Sequence, residues 1–172
     1  SGNLQWNKTL GAAAGDEGST WMTKGQITSD GGYIIESYTT SFGAGAADVL
    51  LVKTDNNGNF QWAKAYGTTA DDQGRFVTNT TDGGYIITGY TGPRTSANPP
   101  TGTADYFLIK TDSSGNLDWA KKYGGANEEK AMCVQQASNG GYVMSGNTGS
   151  FGSIYFDAYF VKTDSAGNAG NI

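Results

Sequence analysis

Histidine is absent from this chain, and cysteine and proline are scarce, with one and three in 172 residues. The first absence removes the Ser-His-Asp triad, the His-Cys dyad and every His-ligated zinc site. A single cysteine leaves no internal disulfide framework. Cys133, between Met132 and Val134, reads as a small buried hydrophobe rather than a reactive thiol, with only Lys130 as a basic neighbour. Charge is also sparse. Charged residues make up 16%, and 11 basic against 16 acidic side chains leave a net −5, which argues against a nucleic-acid surface. No apolar run reaches the roughly 18 residues of a membrane span. No signal peptide pattern opens the chain. It starts at Ser1-Gly2-Asn3, inside a repeat, and so reads as a mature product or a fragment.

What is abundant is glycine, at 27 residues, and aromatics, at 12%. The length fits one domain and the 37% hydrophobic content can support a core. The glycines and aromatics fall into a repeat. Gly2-Asn3-Leu4-Gln5-Trp6 returns as Gly58-Asn59-Phe60-Gln61-Trp62 and Gly115-Asn116-Leu117-Asp118-Trp119. Asp30-Gly31-Gly32-Tyr33-Ile34-Ile35 returns at Asp82 and, as Asn139-Gly140-Gly141-Tyr142-Val143-Met144, a third time. Asp48-Val49-Leu50-Leu51-Val52-Lys53-Thr54-Asp55 returns at Asp105 and Asp157, so the period is 52 to 57 residues.

Each copy reads as four short strands, A to D. In the second copy they cover residues 75–80, 85–90, 106–111 and 117–123. Asp82-Gly83-Gly84 supplies the positive φ of a tight A-to-B turn, and Asp112 to Asn116 turns C into D. No helical period runs beyond a turn or two. Four-stranded units at this spacing predict an all-β fold of β-propeller blades, at about 11–66, 67–123 and 124–168, with an outer strand at 3–10. The pattern Asp-x-x-Leu-Ile-Lys-Thr-Asp-x-x-Gly-Asn-x-x-Trp-x-Lys-x-Tyr-Gly, followed by Asp-Gly-Gly-Tyr-Ile-Ile-x-Gly-x-Thr, resembles the secreted β-propeller repeats of bacteria and archaea. The loop Thr39-Thr40-Ser41-Phe42-Gly43-Ala44-Gly45 is similar to theirs as well. The strand order is similar to kelch blades, without the kelch signature. The resemblance covers nearly the whole chain. It implies a secreted or cell-surface location and a binding or scaffold role, and it supplies no catalytic residue.

The strand count is offset by one. Residues 4–10 carry a strand D pattern ahead of the first complete blade. The third copy reaches Asp164-Ser165-Ala166-Gly167-Asn168 and then reads Ala169-Gly170-Asn171-Ile172, with Asn171 where Trp62 and Trp119 stand. Three blades are too few for a ring, since propellers usually have four to eight. Two chains closing a six-bladed ring, each lending residues 4–10 to the other's third blade, satisfy the offset through a heterologous joint. The plainer alternative is that the chain is three repeats of a longer propeller.

Candidate site residues lie on the loops. The B-to-C loops differ between copies, as binding loops do. Phe42, Arg94, Phe151 and Tyr155 there would suit sugar stacking or protein contact, although the two phenylalanines, each between Ser and Gly, would equally plug gaps between blades. Trp21 falls in a four-residue insertion of the first copy and is the tryptophan best placed for a sugar; the others are expected to pack between blades. The D-to-A loops carry Asp16-Glu17, Asp71-Asp72 and Glu128-Glu129, a candidate calcium site or acidic rim, or else solvated carboxylates. None has EF-hand spacing. Asp48, Asp105 and Asp157 are expected to cap turns, and Asp55, Asp112 and Asp164 to shape hairpins.

No catalytic motif emerges. A glycosidase needs two carboxylates roughly 5 to 10 Å apart, and nothing selects a pair among the 16 acids. A quinoprotein or lyase propeller would be expected to bring histidines, arginines or a metal site, and no such set stands out. The expected role is therefore a non-catalytic, secreted or cell-surface binding, adhesion or scaffold module for a glycan or protein, with no required cofactor. The alternatives are a self-assembling filament subunit joined by strand exchange and a fragment of a carbohydrate-active enzyme.

Overall fold

The β-branched and aromatic runs of each copy form strands, and the glycine turns between them set those strands antiparallel. A computed structural model describes residues 2–10, 16–17, 24–93, 102–152 and 155–170. Among these the chain is all-β, without a helix. The strands are β1 (Asp16–Glu17), β2 (Lys24–Ile27), β3 (Tyr33–Thr39), β4 (Asp48–Thr54), β5 (Phe60–Tyr66), β6 (Asp72–Asn79), β7 (Tyr85–Thr91), β8 (Asp105–Thr111), β9 (Leu117–Tyr123), β10 (Glu129–Gln136), β11 (Tyr142–Thr148) and β12 (Asp157–Thr163). They make three antiparallel sheets. The first orders β1-β3-β4-β5 with β2 also on β3, the second β6-β7-β8-β9 and the third β10-β11-β12.

The turns are built as the sequence predicts. Gly31, Gly83 and Gly140 hold φ near +80°, a conformation that L side chains rarely adopt. The β4–β5 turn is organised by Asp55, whose Oδ1 accepts the backbone N–H groups of Asn57 and Asn59 at 2.8 Å each; Asp112 and Asp164 repeat this in the other sheets. These hydrogen bonds, first among them those from Asn59, lower the Asp55 pKa. Bulges at Gln61 and Asp118 bring those side chains to a buried lysine of the neighbouring strand, at 3.1 Å from Lys53 and 3.2 Å from Lys110.

Side chains alternate across each strand, so one strand can serve two cores. Tyr85, Ile87, Phe107 and Ile109 of the second sheet pack with Ile34, Val49, Leu51 and Tyr66 of the first. Ile86, Tyr106 and Leu108, from the opposite face, pack with Val134, Tyr142, Met144 and Val161 of the third. Every residue of β7 is consequently buried.

A second set of contacts ties the outer strands to the next sheet, and it recurs. Trp62 of β5 meets Tyr85 with ring centroids 6.1 Å apart, Lys64 donates to Asn116 Oδ1 at 2.6 Å, and the Tyr66 hydroxyl donates to the Gly115 carbonyl at 2.6 Å. Trp119 of β9 meets Tyr142 at 5.8 Å, Lys121 donates to Asn168, and Tyr123 donates to the Gly167 carbonyl at 2.7 Å. Gly115 and Gly167 are where these indoles lie closest; a Cβ on either would stand 2.7 Å from a ring carbon.

Residues 4–10 were expected as a strand and are not one. They occupy an outer-strand place all the same. Trp6 meets Tyr33 edge-on at 5.5 Å and covers Gly58, and Lys8 donates to Asn59 Oδ1 at 2.5 Å. A strand needs a partner for its backbone groups, and among the described residues no strand pairs with this segment. In the third sheet the pairing that begins an outer strand is a lone bridge, Thr163 to Ala169.

Candidate functional site

The antiparallel order puts the tight turns at one end of the sheets and the long loops at the other. The loop end gathers the starts of β4, β6, β8, β10 and β12 and the exits of β3, β5, β7, β9 and β11. It therefore collects the acidic pairs and the aromatic loops proposed from sequence.

The carboxylates here hold loops. Asp48 Oδ2 accepts the backbone N–H groups of Ala44 at 2.8 Å and Gly45 at 3.1 Å. Asp72 Oδ2 accepts from the N–H and hydroxyl of Thr68 at 2.6 and 2.9 Å. Glu129 Oε2 accepts from Gly125 N at 2.7 Å, while its Oε1 accepts from the Thr148 hydroxyl at 2.7 Å and Ser150 N at 3.1 Å. Glu128 lies 2.8 Å from Lys130 Nζ without hydrogen-bond alignment. Asp71 lies 3.4 Å from Gln73 Nε2. Asp72, Glu128 and Glu129 are buried, so they are not solvated loop carboxylates. Among the described residues no three His, Cys, Asp or Glu side chains are grouped so as to hold a metal ion. Asp16 and Glu17 form β1, Asp16 opposite Thr39 as Asp72 is opposite Thr91, but their side chains lie outside the described residues.

The aromatic candidates divide. Phe151 stacks on Tyr159 at 5.2 Å, and Tyr159 lies 5.3 Å from Tyr106 in the core, so three rings lead from the interior to the loop surface. Phe151 nevertheless keeps 42% of its surface exposed, and Tyr155 keeps 53%. Beside them Lys130 Nζ stands 5.1 Å over the Phe156 ring, a cation–π contact that sequence reasoning did not single out. Phe42, 40% exposed, belongs to a different sheet. It helps line a groove of about 850 Å³ between β5 and β9, together with Ala65, Phe107, Ile109 and the lysines Lys64 and Lys121. Arg94 and Trp21 lie outside the described residues.

One buried acid breaks the repeat. Glu36 stands where the other copies have Thr88 and Ser145. It is fully buried, with no hydrogen bond to either carboxylate oxygen. Gly74 of β6 makes room for it: a Cβ there would lie 2.1 Å from Glu36 Oε1. Burial raises the Glu36 pKa to about 8 against the opposing pull of Arg75. Arg75 sits in the β6 bulge, 5.0 Å over the Tyr90 ring, and donates to the Tyr90 hydroxyl at 2.6 Å. The sequence signal was available: Glu36 is the charged residue in a block whose other copies are uncharged at that place.

The chain is similar to one curated bacterial protein. That protein is the Regulatory protein FlaEY of Caulobacter vibrioides, 28% identical over 140 residues. The match takes in 72% of this chain and 15% of FlaEY, so this chain corresponds to a small part of a much longer protein. No family model matches the chain.

Proposed function

We propose that this chain is a non-catalytic recognition and scaffold module of the secreted or cell-surface β-propeller type, each sheet being one blade, and that it takes a glycan or protein ligand at its loop end. The observation that carries this reading is the set of exposed rings, Phe151 and Tyr155 with Phe42 on the first sheet, where Asp48 holds the backbone beside Phe42 at Ala44 and Glu129 holds it beside Phe151 at Ser150. Loops ordered before binding lose little freedom when a ligand arrives. The small share of FlaEY that is matched suits a module within a larger regulatory protein. Binding of the intact chain to glycan and surface-protein arrays tests the proposal. Phe151→Ala with Tyr155→Ala is expected to weaken any bound ligand about tenfold or more. Undiminished binding removes the loop end from the proposal.

A second reading, assembly, has its own support. Residues 2–10 sit in an outer-strand place without a strand partner, and the third sheet has one pairing beyond β12 among the described residues. End-to-end joining of copies would close a six-bladed ring of two chains or extend a filament. Light scattering separates these: a two-chain mass supports the ring, and large species support the filament.

A further inference from the structure

Two sheet junctions each bring a pair of carboxylates to one glycine. Where the first sheet passes to the second, a Cβ on Gly67 would stand 1.8 Å from Asp48 Oδ1 and 3.0 Å from Asp72 Oδ2. Where the second passes to the third, a Cβ on Gly124 would stand 1.9 Å from Asp105 Oδ1 and 2.8 Å from Glu129 Oε2. Two buried carboxylates this close need a positive charge between them or beside them.

The second junction has that charge in the protein itself. Lys122 Nζ lies 2.9 Å from Asp105 Oδ2. The first junction lacks it. Ala65 stands opposite Leu50 as Lys122 stands opposite Phe107, so alanine takes the place of the lysine. Among the described residues no lysine or arginine pairs with Asp48 or Asp72. Burial is nevertheless deep, with 1% of Asp48 and 3% of Asp72 exposed. Asp48 Oδ2 is satisfied by the N–H groups of Ala44 and Gly45, but its Oδ1 is buried and accepts no hydrogen bond.

We propose that a calcium ion binds between Asp48 and Asp72, in the role that the Lys122 ammonium plays at the second junction. Two carboxylates balance one divalent charge, and the orphaned Asp48 oxygen gains a partner. The surroundings are oxygen-rich, as calcium prefers. The carbonyls of Thr68 and Ala70 would lie 2.4 and 2.3 Å from a Cβ on Gly45, whose own N–H holds the Asp48 carboxylate. Magnesium suits the place less, because it gives up water reluctantly and demands a strict octahedron. An entry path exists: Gly43, Gly67, Thr68 and Asp72 all line the groove of about 850 Å³. The ion would tie the loop that follows Phe42 to the connection between the first two sheets. The site goes beyond the recognition reading and does not depend on it.

Melting of the intact chain in calcium and in EDTA tests the site. Calcium at about a hundredfold above its dissociation constant is expected to raise the midpoint by about 5 °C or more, and magnesium far less. Ala65→Lys brings the second junction's ammonium to the first. It is expected to raise the midpoint in EDTA and to weaken calcium about tenfold or more by titration calorimetry. Lys122→Ala opens the second junction and is expected to add one calcium equivalent per chain. No calcium shift in the parent overturns the site, as does an equal shift with magnesium. A calcium response that Ala65→Lys leaves intact puts the ion elsewhere and overturns it too. An unchanged stoichiometry in Lys122→Ala overturns the exchange of ion for ammonium on which the assignment stands. None of these measurements involves a glycan or protein ligand, so the recognition reading stands or falls separately.

Discussion

The second and third sheets were built from the same repeat, yet one is covered on both faces and the other on one. β8 of the second sheet is buried from Tyr106 to Thr111, whereas β12 alternates between covered and exposed residues. Leu108 and Phe160 occupy equivalent places with opposite surroundings. The polar residues follow the same division. Lys110 is buried against Asp82 at 2.8 Å and Asp118 at 3.2 Å. Lys162 is exposed, and the third copy has Asn139 in place of the acid. Burial thus comes with a charge partner, and where the cover is missing so is the partner, while the apolar residue remains.

Leu108 and Phe160 carry the largest difference between the two sheets. Leu108→Ala removes a fully buried side chain between two sheets and is expected to cost about 2–5 kcal/mol. Phe160→Ala in the single chain should lie within about 1 kcal/mol of the parent. Urea unfolding at low protein concentration measures both. Equal losses would mean that the third sheet is covered even when dilute.

In the first sheet, burial without a charge partner falls on Glu36. Its folded pKa of about 8 stands above its ordinary value of 4.5. The unfolded chain therefore gives up this proton first as pH rises, and stability falls between pH 4.5 and 8. Glu36→Gln should flatten that slope and raise the melting temperature at pH 7.5, read by thermal unfolding across the window. A variant that keeps the parent slope would show that the carboxylate is not held neutral in the fold.

Gly74 is the other half of that contact. Gly74→Ala drives a Cβ into Glu36 and should destabilise the parent, while in a Glu36→Thr background it should be tolerated, since the third sheet carries Ala131 at the place of Gly74 where the second carries Thr88 at the place of Glu36. A double-mutant cycle is expected to give coupling of about 0.5–3 kcal/mol. Additive losses would separate the two residues.

The strands were legible because glycine turns and β-branched runs are local signals; β7, β8 and β9 lie within a residue of the expected positions. Residues 4–10 show the limit of local signals. Their pattern matches β5 and β9, but strand formation depends on a neighbour that the pattern does not supply. The loop end was legible in composition and not in role. Glu129 reads as a surface acid until Ser150, 21 residues on, is seen to donate to it across a loop. The groove that Phe42 lines depends on how two sheets splay, which no single copy encodes.

The ion pairs of the buried lysines contribute least. Burial alone would raise the Asp82 pKa, but hydrogen bonds from Lys110, Thr80 and Gly84 outweigh it and hold the carboxyl at about 2, below its ordinary 3.8. A depressed pKa contributes stability above the unfolded value and loses it as pH falls through the folded one, here between about pH 4 and 2. Asp82 is more than half exposed, so solvent screens the pair and Asp82→Asn should cost under about 1 kcal/mol at pH 7. That loss should shrink toward zero by pH 2, measured by urea midpoints at the two pH values. Asn139→Asp in the third sheet is the mirror experiment. With Lys162 exposed and able to keep its water, restoring the acid should gain less than Asp82→Asn loses. An equal gain would show that cover and charge pairing are independent features of the repeat.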